Sequence, residues 1–355
     1  MLPTGKRISR YGKTAKEARD KMKAAWRDHE AGVDVTAKRQ TVDQFLTRWL
    51  ADVVRPGKAP KTHASYEEIV RLHLIPGLGR YRLDQLTPQH VAAMLRIKQD
   101  AGFSPRRVHH MRAVLRAALN QAIKWGLVGR NVAALTEPVR QAPRTVKPFT
   151  PEEARAVLVA ARGHRLEALV AVALSLGLRQ GEVLALMWGD LDLDGPRPTI
   201  AIQRSLQRVD GHLILKGTKT EKSRRTLPLP AFVAAILREH RDRQAFERKA
   251  AGNAWSEQGF VFTTSIGTPL DPRNVIRSWH ALLAAAGVPR HRFHDTRHTA
   301  VSTLIAHGVS LKVIQELVGH SLLSTTADTY GHLASDAFNE AASILDAAYG
   351  TTRTA

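Results

Sequence analysis

Five short segments in the second half of this 355-residue chain carry side chains suited to phosphate chemistry. Arginine offers a planar fork of donors that stays charged and fits two phosphate oxygens. A tyrosine oxygen can attack phosphorus and stay attached to it, but its pKa of about 10 means that it needs helpful neighbours. The segments are Gly177-Leu178-Arg179-Gln180-Gly181-Glu182, Thr218-Lys219-Thr220, His294-Asp295-Thr296-Arg297-His298, Gly319-His320-Ser321 and Asp328-Thr329-Tyr330-Gly331-His332.

The order and spacing of these segments resemble those of the tyrosine recombinase (phage integrase) family, over residues 41–349. The resemblance implies DNA cleavage and rejoining through a 3′-phosphotyrosyl link to Tyr330. It makes Arg179 and Arg297 the phosphate clamps and Glu182 the acidic residue that supports the site. The other implied roles are general acid for Lys219, phosphate ligand or proton shuttle for His294, and hydrogen-bond donor for His320. No cofactor is expected, because side chains supply the positive field.

Two of these assignments have competitors nearby. Lys216 and Lys222 lie close to Lys219 in the sequence, and the family places its catalytic lysine directly before a threonine, which favours Lys219. A lysine just after a predicted hairpin can reach a leaving oxygen as general acid. Tyr349 is the other tyrosine near the C-terminus, but no basic segment closely precedes it, so Tyr330 is the predicted nucleophile.

A zinc site is the alternative use of the histidines in the third segment. His294 and His298 are four residues apart, as in zinc-binding helices, but Asp295 stands where the H-E-x-x-H pattern requires glutamate. The chain has no cysteine, so disulfides and thiolate metal sites are excluded. We therefore predict no metal site.

The composition points to a polyanionic partner. The formal net charge is +21 and the isoelectric point is near 10.8. Such a charge favours nucleic acid, although by itself it does not separate DNA from RNA or from a membrane surface. The longest apolar run, residues 168–178, is far shorter than the roughly 20 residues of a membrane helix, and no signal peptide is evident. We expect a cytoplasmic, nucleoid-associated protein with no membrane partner.

Local patterns divide the chain into four parts. Residues 1–40 hold a possible last strand (7–11) and a basic helix (14–29), which we interpret as a remnant or truncated arm-type DNA-binding segment. Residues 41–135 are predicted to form a helical core-binding (SAM-like) domain, and residues 136–149 a linker with three prolines. The catalytic domain is predicted to span residues 150–355, with a C-terminal docking helix.

The predicted core-binding domain contains helices near 64–74, 87–99 and 105–125, after a first helix capped by Thr41. Residues 106–147 contain nine Lys or Arg and a single acidic residue, Glu137. We interpret this imbalance as contact with the DNA backbone, against the alternative of a solvated helix face. The predicted DNA contacts here and after Lys219 are Arg106, Arg107, Arg112, Arg116, Lys124, Arg224 and Arg225.

The predicted catalytic domain begins with the capping box of Thr150 to Glu153. Helices are expected at 151–162 and 165–176, and Gly177 suits the C-terminal end of the second. Strands are expected at 199–206, 212–217 and 224–229, with Asp210-Gly211 as a tight-hairpin signal. All residues after Pro230 are expected to be helical. The fold class is therefore mostly α with a small antiparallel β-sheet (α+β). An apolar stripe over residues 334–349 would pack on its own core or on a neighbouring protomer, and the family favours the second.

Together these patterns predict a site-specific recombinase, the integrase of a phage or integrative element. The expected partners are double-stranded DNA with attachment-type sites, three further copies of the chain in a tetramer, a host DNA-bending protein and an excisionase. The alternatives are a Xer-type resolvase, a type IB topoisomerase and a DNA-binding regulator that has lost catalysis.

Overall fold

The computed structural model describes residues 9, 11–30, 40–139, 147–217 and 224–319, and the chain forms two compact units, residues 1–144 and 145–355. The division between the units lies inside the segment predicted as a linker. Three parts of the prediction fall outside the described residues: most of the strand at 7–11, the segment that carries Lys219, and everything from His320 onward, including the stripe over 334–349.

The first unit is helical in its described parts. Thr41 is the N-cap of its second helix, as predicted, and it forms both halves of a capping box. Thr87 does the same for the sixth helix. One apolar core, which includes Phe45, Leu74 and Leu115, joins the helices of residues 42–133. The helices are α1 (Ala15–Glu30), α2 (Val42–Trp49), α3 (Arg55–Gly57), α4 (Pro60–Ile69), α5 (Ile75–Leu78), α6 (Pro88–Asp100) and α7 (Pro105–Lys124).

Two π-helical turns, Leu50–Val54 and Val70–Leu74, connect α2 to α3 and α4 to α5. In each case a proline, Pro56 or Pro76, follows the turn within two residues. A proline offers no backbone N–H for the usual bond to the carbonyl four residues earlier, so the local hydrogen bonding is rearranged. The predicted helix near 64–74 is thus part of a longer, locally widened segment.

Helix α7 carries the basic residues predicted to contact DNA, and the structure corrects one of them. The Arg112 side chain lies inside the unit, with 8% of the residue exposed, and its Nη2 donates to the carbonyl oxygens of Thr136 and Ala134. It ties the chain after α7 to the helix. Arg112 is therefore a tie within the first unit and not the predicted DNA contact, since its guanidinium is directed at the carbonyl oxygens of Thr136 and Ala134.

The second unit surrounds the nearly continuous apolar helix α9 (Glu167–Leu176), whose core neighbours include Val183, Leu237 and Trp279. The Thr150 capping box is present at the start of α8, as predicted. The other helices described are α8 (Pro151–Ala160), α10 (Gln180–Leu184), α11 (Ala231–Ala251), α12 (Pro272–Ala285), α13 (Asp295–Ala306) and α14 (Leu311–Val318).

The strands of this unit form two small antiparallel sheets where one was predicted. The predicted strand 199–206 is broken at Gln203: β2 (Thr199–Ile202) pairs with β1 (Leu191–Asp192) and β5 (Arg225–Pro228). The remainder, β3 (Arg204–Val209), pairs with β4 (His212–Gly217), and among the described residues these two strands form a separate sheet. Asp210 and Gly211 both have positive φ, which confirms the predicted tight hairpin between β3 and β4.

The prediction of helices throughout the residues after Pro230 was wrong for residues 255–270. This segment makes isolated bridges, Met187 with Phe260 and Thr263 with Pro269, and Phe260–Phe262 enter the core. Gly259 and Gly267 have positive φ, which interrupts helical geometry. The Gln244 side chain on α11 donates to the carbonyl oxygens of Phe260 and Val261. These bonds satisfy backbone groups that would otherwise be paired within a helix.

We expect Gly177→Ala to destabilise the C-terminal end of α9. Gly177 has φ +59°, and an added Cβ would lie 3.1 Å from Ala300 Cβ and 3.4 Å from Arg297 Cα. The left-handed conformation alone costs about 1–2 kcal/mol for a residue with a Cβ. Gly163→Ala is the matched control, because Gly163 has φ +69° but open space around it.

Residue-resolved hydrogen exchange of the α9 amides measures this local stability without assuming that the two units unfold together. Gly177→Ala should lower the protection of α9 more than Gly163→Ala does. Equal losses in the two variants would show that the close approach to α13 adds nothing to the backbone strain.

Candidate functional site

The site begins where α9 ends. Gly177 ends the helix in the left-handed conformation, and the next residue, Leu178, is buried. Arg179 follows as the extended N-cap residue of α10, so its side chain leaves the core while its backbone N–H donates to Glu182 Oε2 over 3.1 Å. The Arg179 side chain keeps 42% of its surface exposed. This arrangement presents one face of a guanidinium to solvent.

The Glu182 carboxylate lies between two arginines. Its Oε1 accepts from Arg179 Nη1 at 2.6 Å, and its Oε2 accepts from Arg225 Nη2 at 3.1 Å. Burial raises the pKa of Glu182, but Arg225 and Arg179 outweigh that effect, so the net pKa is lowered. Glu182 is therefore ionised at neutral pH and holds Arg179 in a fixed orientation.

Arg225 was predicted to contact DNA, and the structure corrects that prediction. Only 8% of its side chain is exposed. Its Nε donates to the Leu317 carbonyl at 2.7 Å, in addition to the bond with Glu182. Sequence reasoning missed this role because Glu182 and Arg225 are 43 residues apart. The neighbouring Arg224 is exposed, as a DNA contact requires.

Arg297 comes from α13 and is almost completely buried, at 2% exposure. Its Nη1 donates to the Gly177 carbonyl at 3.0 Å, so the second predicted clamp is anchored on the same turn that presents Arg179. A guanidinium buried to this degree keeps its charge and its direction. The structure thus gathers two of the predicted phosphate ligands around Gly177.

Asp295 orders the start of α13, and the sequence prediction assigned it no such role. Its buried carboxylate accepts from the Arg292 backbone N–H at 2.7 Å and from Arg292 Nε at 3.2 Å. The three-residue spacing of Arg292 and Asp295 was the available signal. These bonds fix the turn on which His294 and Arg297 are carried.

His294 is the N-cap residue of α13, and its ring meets that of His298 edge to face, with centroids 5.1 Å apart. Desolvation by surrounding protein atoms and the charges of His298 and Arg297, with smaller effects of Arg292 and Arg179, lower the pKa of His294 to about 4. His294 is nevertheless exposed to solvent, so water screens part of this repulsion. The direction leaves His294 neutral at pH 7.

The described part of the site therefore brings together Arg179, Glu182, Arg297 and His294. Lys219, His320 and Tyr330 lie outside the described residues, although Gly319, the residue before His320, accepts a bond from Arg179 Nη2 at 3.1 Å. In the first unit, the predicted DNA contacts at the surface are Arg106, Arg116 and Lys124, while Arg107 is partly buried and paired with Glu68 at 2.6 Å.

Searches for other kinds of site gave negative results within the described ranges. Among those residues, no group of three or more His, Asp or Glu is arranged to hold a metal ion. None of the helices in the same ranges is both long and apolar enough to span a membrane.

The described residues thus form a helical unit and a mixed unit that carries an arginine-lined site. A model of the phage integrase family matches residues 147–336, and a model of the N-terminal SAM-like domain of phage integrases matches residues 41–95. An integrase from Streptomyces ambofaciens is 36% identical, over 97% of this chain and 90% of its own length. A tyrosine recombinase XerC-like protein from Caldanaerobacter subterraneus subsp. tengcongensis is 31% identical, over 91% and 87%.

Solved structures share the fold. The integrase of transposon Tn1549, in complex with a circular intermediate DNA, superimposes with a TM-score of 0.73 at 19% identity, over 86% of this chain and 99% of that one. A lambda integrase dimer bound to a core site gives a TM-score of 0.62 at 20% identity, over 90% and 83%. The chain belongs to the phage integrase family, and it is a site-specific DNA recombinase. The predicted fold class is confirmed as well.

The lowered pKa of His294 predicts a measurable pH dependence of stability. In the unfolded chain His294 has a pKa of about 6.5, whereas in the folded chain its pKa is about 4. Between these two pH values the unfolded chain binds a proton that the folded chain does not. Stability from neutral His294 is thus complete above about pH 6.5 and is lost as the pH falls toward 4. Screening keeps the slope well below the limiting value of about 1.4 kcal/mol per pH unit.

Urea unfolding of wild type and His294→Gln between pH 7 and 5 measures this slope, and wild type should lose stability more steeply. NMR titration of the His294 ring, assigned by its absence in the variant, gives the pKa directly. A ring that titrates at or above pH 6.5 would contradict the geometry described for α13.

Proposed function

We propose that this protein integrates and excises a phage or other mobile element, by cutting and rejoining duplex DNA at attachment-type sites. Tyr330 is the nucleophile in this proposal. Its hydroxyl passes its proton to neutral His294 while its oxygen bonds to the scissile phosphorus, the bond from phosphorus to the 5′ oxygen breaks, and Lys219 gives that oxygen its proton. Rejoining is the reverse attack by a 5′ hydroxyl from the partner strand.

The observation that carries this proposal is the grouping of Arg179, Arg297 and His294 around the end of α9. Arg297 donates to the Gly177 carbonyl, and Arg179 follows Gly177 by two residues. The charges of both arginines contribute to the lowered pKa of His294. Two permanent charges, oriented before substrate arrives, stabilise the extra negative charge of a five-coordinate phosphorane. A neutral His294 can donate to or accept from that group, and His320 would add a further donor.

Neither metal nor ATP is required in this scheme. Guanidinium groups supply the positive charge that metal ions supply in other phosphoryl-transfer sites. The phosphotyrosyl bond is a phosphodiester like the one it replaces, so its energy is retained for rejoining. The scheme needs only the protein and its DNA.

We expect purified protein to form a covalent adduct with DNA in EDTA and without ATP. The substrate is a supercoiled plasmid that carries the DNA flanking the protein's own gene, and adducts are trapped with detergent. Tyr330→Phe, which lacks the attacking oxygen, should form none, whereas Tyr349→Phe, the control, should retain them. Peptide mapping of the adduct identifies the linked tyrosine.

Other outcomes separate the alternatives. Adducts that persist in Tyr330→Phe would disprove the nucleophile assignment. Relaxation of the plasmid with no junction or recombinant product would favour a type IB topoisomerase. Tight binding with no adduct in wild type would favour a regulator.

A second candidate, a Xer-type resolvase, is supported by the 31% identity to a XerC-like protein. Resolution of a plasmid with two identical sites, set against recombination between two different attachment sites, distinguishes this activity from integration. The four-protein assembly on DNA, the docking of the C-terminal helix and the use of a host DNA-bending protein and an excisionase are further parts of the integrase proposal. Its setting would be the cytoplasm, on the nucleoid.

We also propose that α7 contacts the DNA backbone through its exposed basic residues. Arg106, Arg116 and Lys124 are exposed on this helix, and no acidic residue lies within it. Each phosphate neutralised by such a side chain releases condensed counterions. Exposure and charge support this role, and they separate these three residues from Arg112.

Arg116→Gln and Lys124→Gln should each weaken DNA binding and reduce the slope of log K against log salt by about 0.9. Arg155→Gln in the second unit is the control, because Arg155 is 73% exposed and paired with Glu152 at 3.5 Å. Binding is measured by fluorescence anisotropy from 50 to 300 mM salt. Unchanged slopes in both α7 variants would remove this helix from the DNA interface.

A further inference from the structure

Three contacts of Arg225 with described residues of the site define its position. Its Nη2 meets the Glu182 carboxylate, and its Nε donates to the Leu317 carbonyl in the last turn of α14. The third contact is with Gly319: a Cβ built on this glycine would lie 2.9 Å from Arg225 Nη1 and 3.1 Å from Arg225 Cζ. The guanidinium therefore lies against the backbone at the end of α14.

Arg179 reaches the same end of α14 from the other side. Its Nη1 binds Glu182 and its Nη2 donates to the Gly319 carbonyl at 3.1 Å. Glu182 thus joins two guanidiniums, and each of them also holds a backbone carbonyl in residues 317–319. One carboxylate orients the phosphate-facing arginine and fixes the chain that leads directly to His320.

Exposure separates the roles of the two arginines. Arg179 keeps 42% of its side chain exposed, while Arg225 keeps 8%. Desolvation lowers the pKa of Arg225, the Glu182 charge opposes this effect, and Arg179 adds to the lowering. Arg225 thus depends on Glu182 for its stability in this position.

We propose that Arg225 is a positioning residue for strand cleavage: through Glu182 it holds Arg179 in its phosphate-facing orientation, and through Leu317 it fixes the end of α14. The inference rests on the proposed function, since it assigns Arg179 to the scissile phosphate and the residues after α14 to catalysis. Arg225 itself touches neither DNA nor the reacting atoms.

This role predicts slow cleavage with intact DNA binding. The planar fork of Arg225 serves two acceptors at once, which a lysine ammonium at the end of a flexible chain does not reproduce. Arg225→Gln and Arg225→Lys should both bind DNA as wild type does, with the same salt slope. At saturating protein, both variants should form the covalent adduct about 10- to 100-fold more slowly. This is the range typical of residues that orient metal ligands in other proteins by hydrogen bonding to them.

The experiment measures two quantities for each variant: anisotropy binding over a range of salt, and the single-turnover rate of adduct formation on DNA flanking the gene. Arg155→Gln is the control with the same loss of charge. Thermal unfolding verifies that each variant is folded. If Arg225→Gln does not fold, the comparison is made with Arg225→Lys alone. A double variant, Glu182→Gln with Arg225→Gln, should slow cleavage by much less than the product of the single effects.

Two results would overturn the inference. A salt slope reduced by about 0.9, with an unchanged saturated rate, would make Arg225 a DNA contact after all. A folded Arg225→Lys that cleaves at the wild-type rate would show that charge alone suffices and that the two-acceptor geometry has no role. Failure of wild type to form any adduct would instead contradict the proposed function, so the two failures remain distinct.

Discussion

The described site depends on one carboxylate shared by two guanidiniums. Glu182 is buried, so its ionised form is tolerated only because Arg179 and Arg225 hold it from both sides. Removing either arginine would leave the buried carboxylate with one cationic partner in place of two. The same ion triad joins three places that are distant in sequence: the start of α10, strand β5 and the end of α14. The orientation of Arg179 is therefore a property of the whole second unit.

The parts of this architecture that could be predicted are those encoded locally. The Thr150 capping box, the left-handed Gly177 and the Asp210-Gly211 hairpin each depend on a few adjacent residues, and all three are present. The spacing of the five basic segments also sufficed to indicate the family. Local propensity and short motifs carry this information because caps and tight turns are made within one turn of chain.

The errors arose where distant residues decide the outcome. Arg112 and Arg225 were both taken as DNA contacts from the density of basic residues, yet each is buried and bonded to backbone carbonyls of another segment. The break at Gln203 likewise depends on pairing: residues on its two sides find different partners, β5 and β4. The pattern of charges and strands along a sequence does not show which distant residues will contact a given side chain or strand.

The arrangement of charge explains how a site for DNA is kept ready without its ligand. Desolvation keeps His294 neutral, and the positive charges of Arg297 and Arg179 at the end of α9 add to this effect. In the proposed function, a phosphate that enters brings negative charge to this surplus, so it relieves repulsion as it makes hydrogen bonds. Because the guanidiniums are already held by Gly177, Glu182 and the end of α14, little reorganisation accompanies that relief. The ion triad around Glu182 thus holds positive charge in a fixed direction.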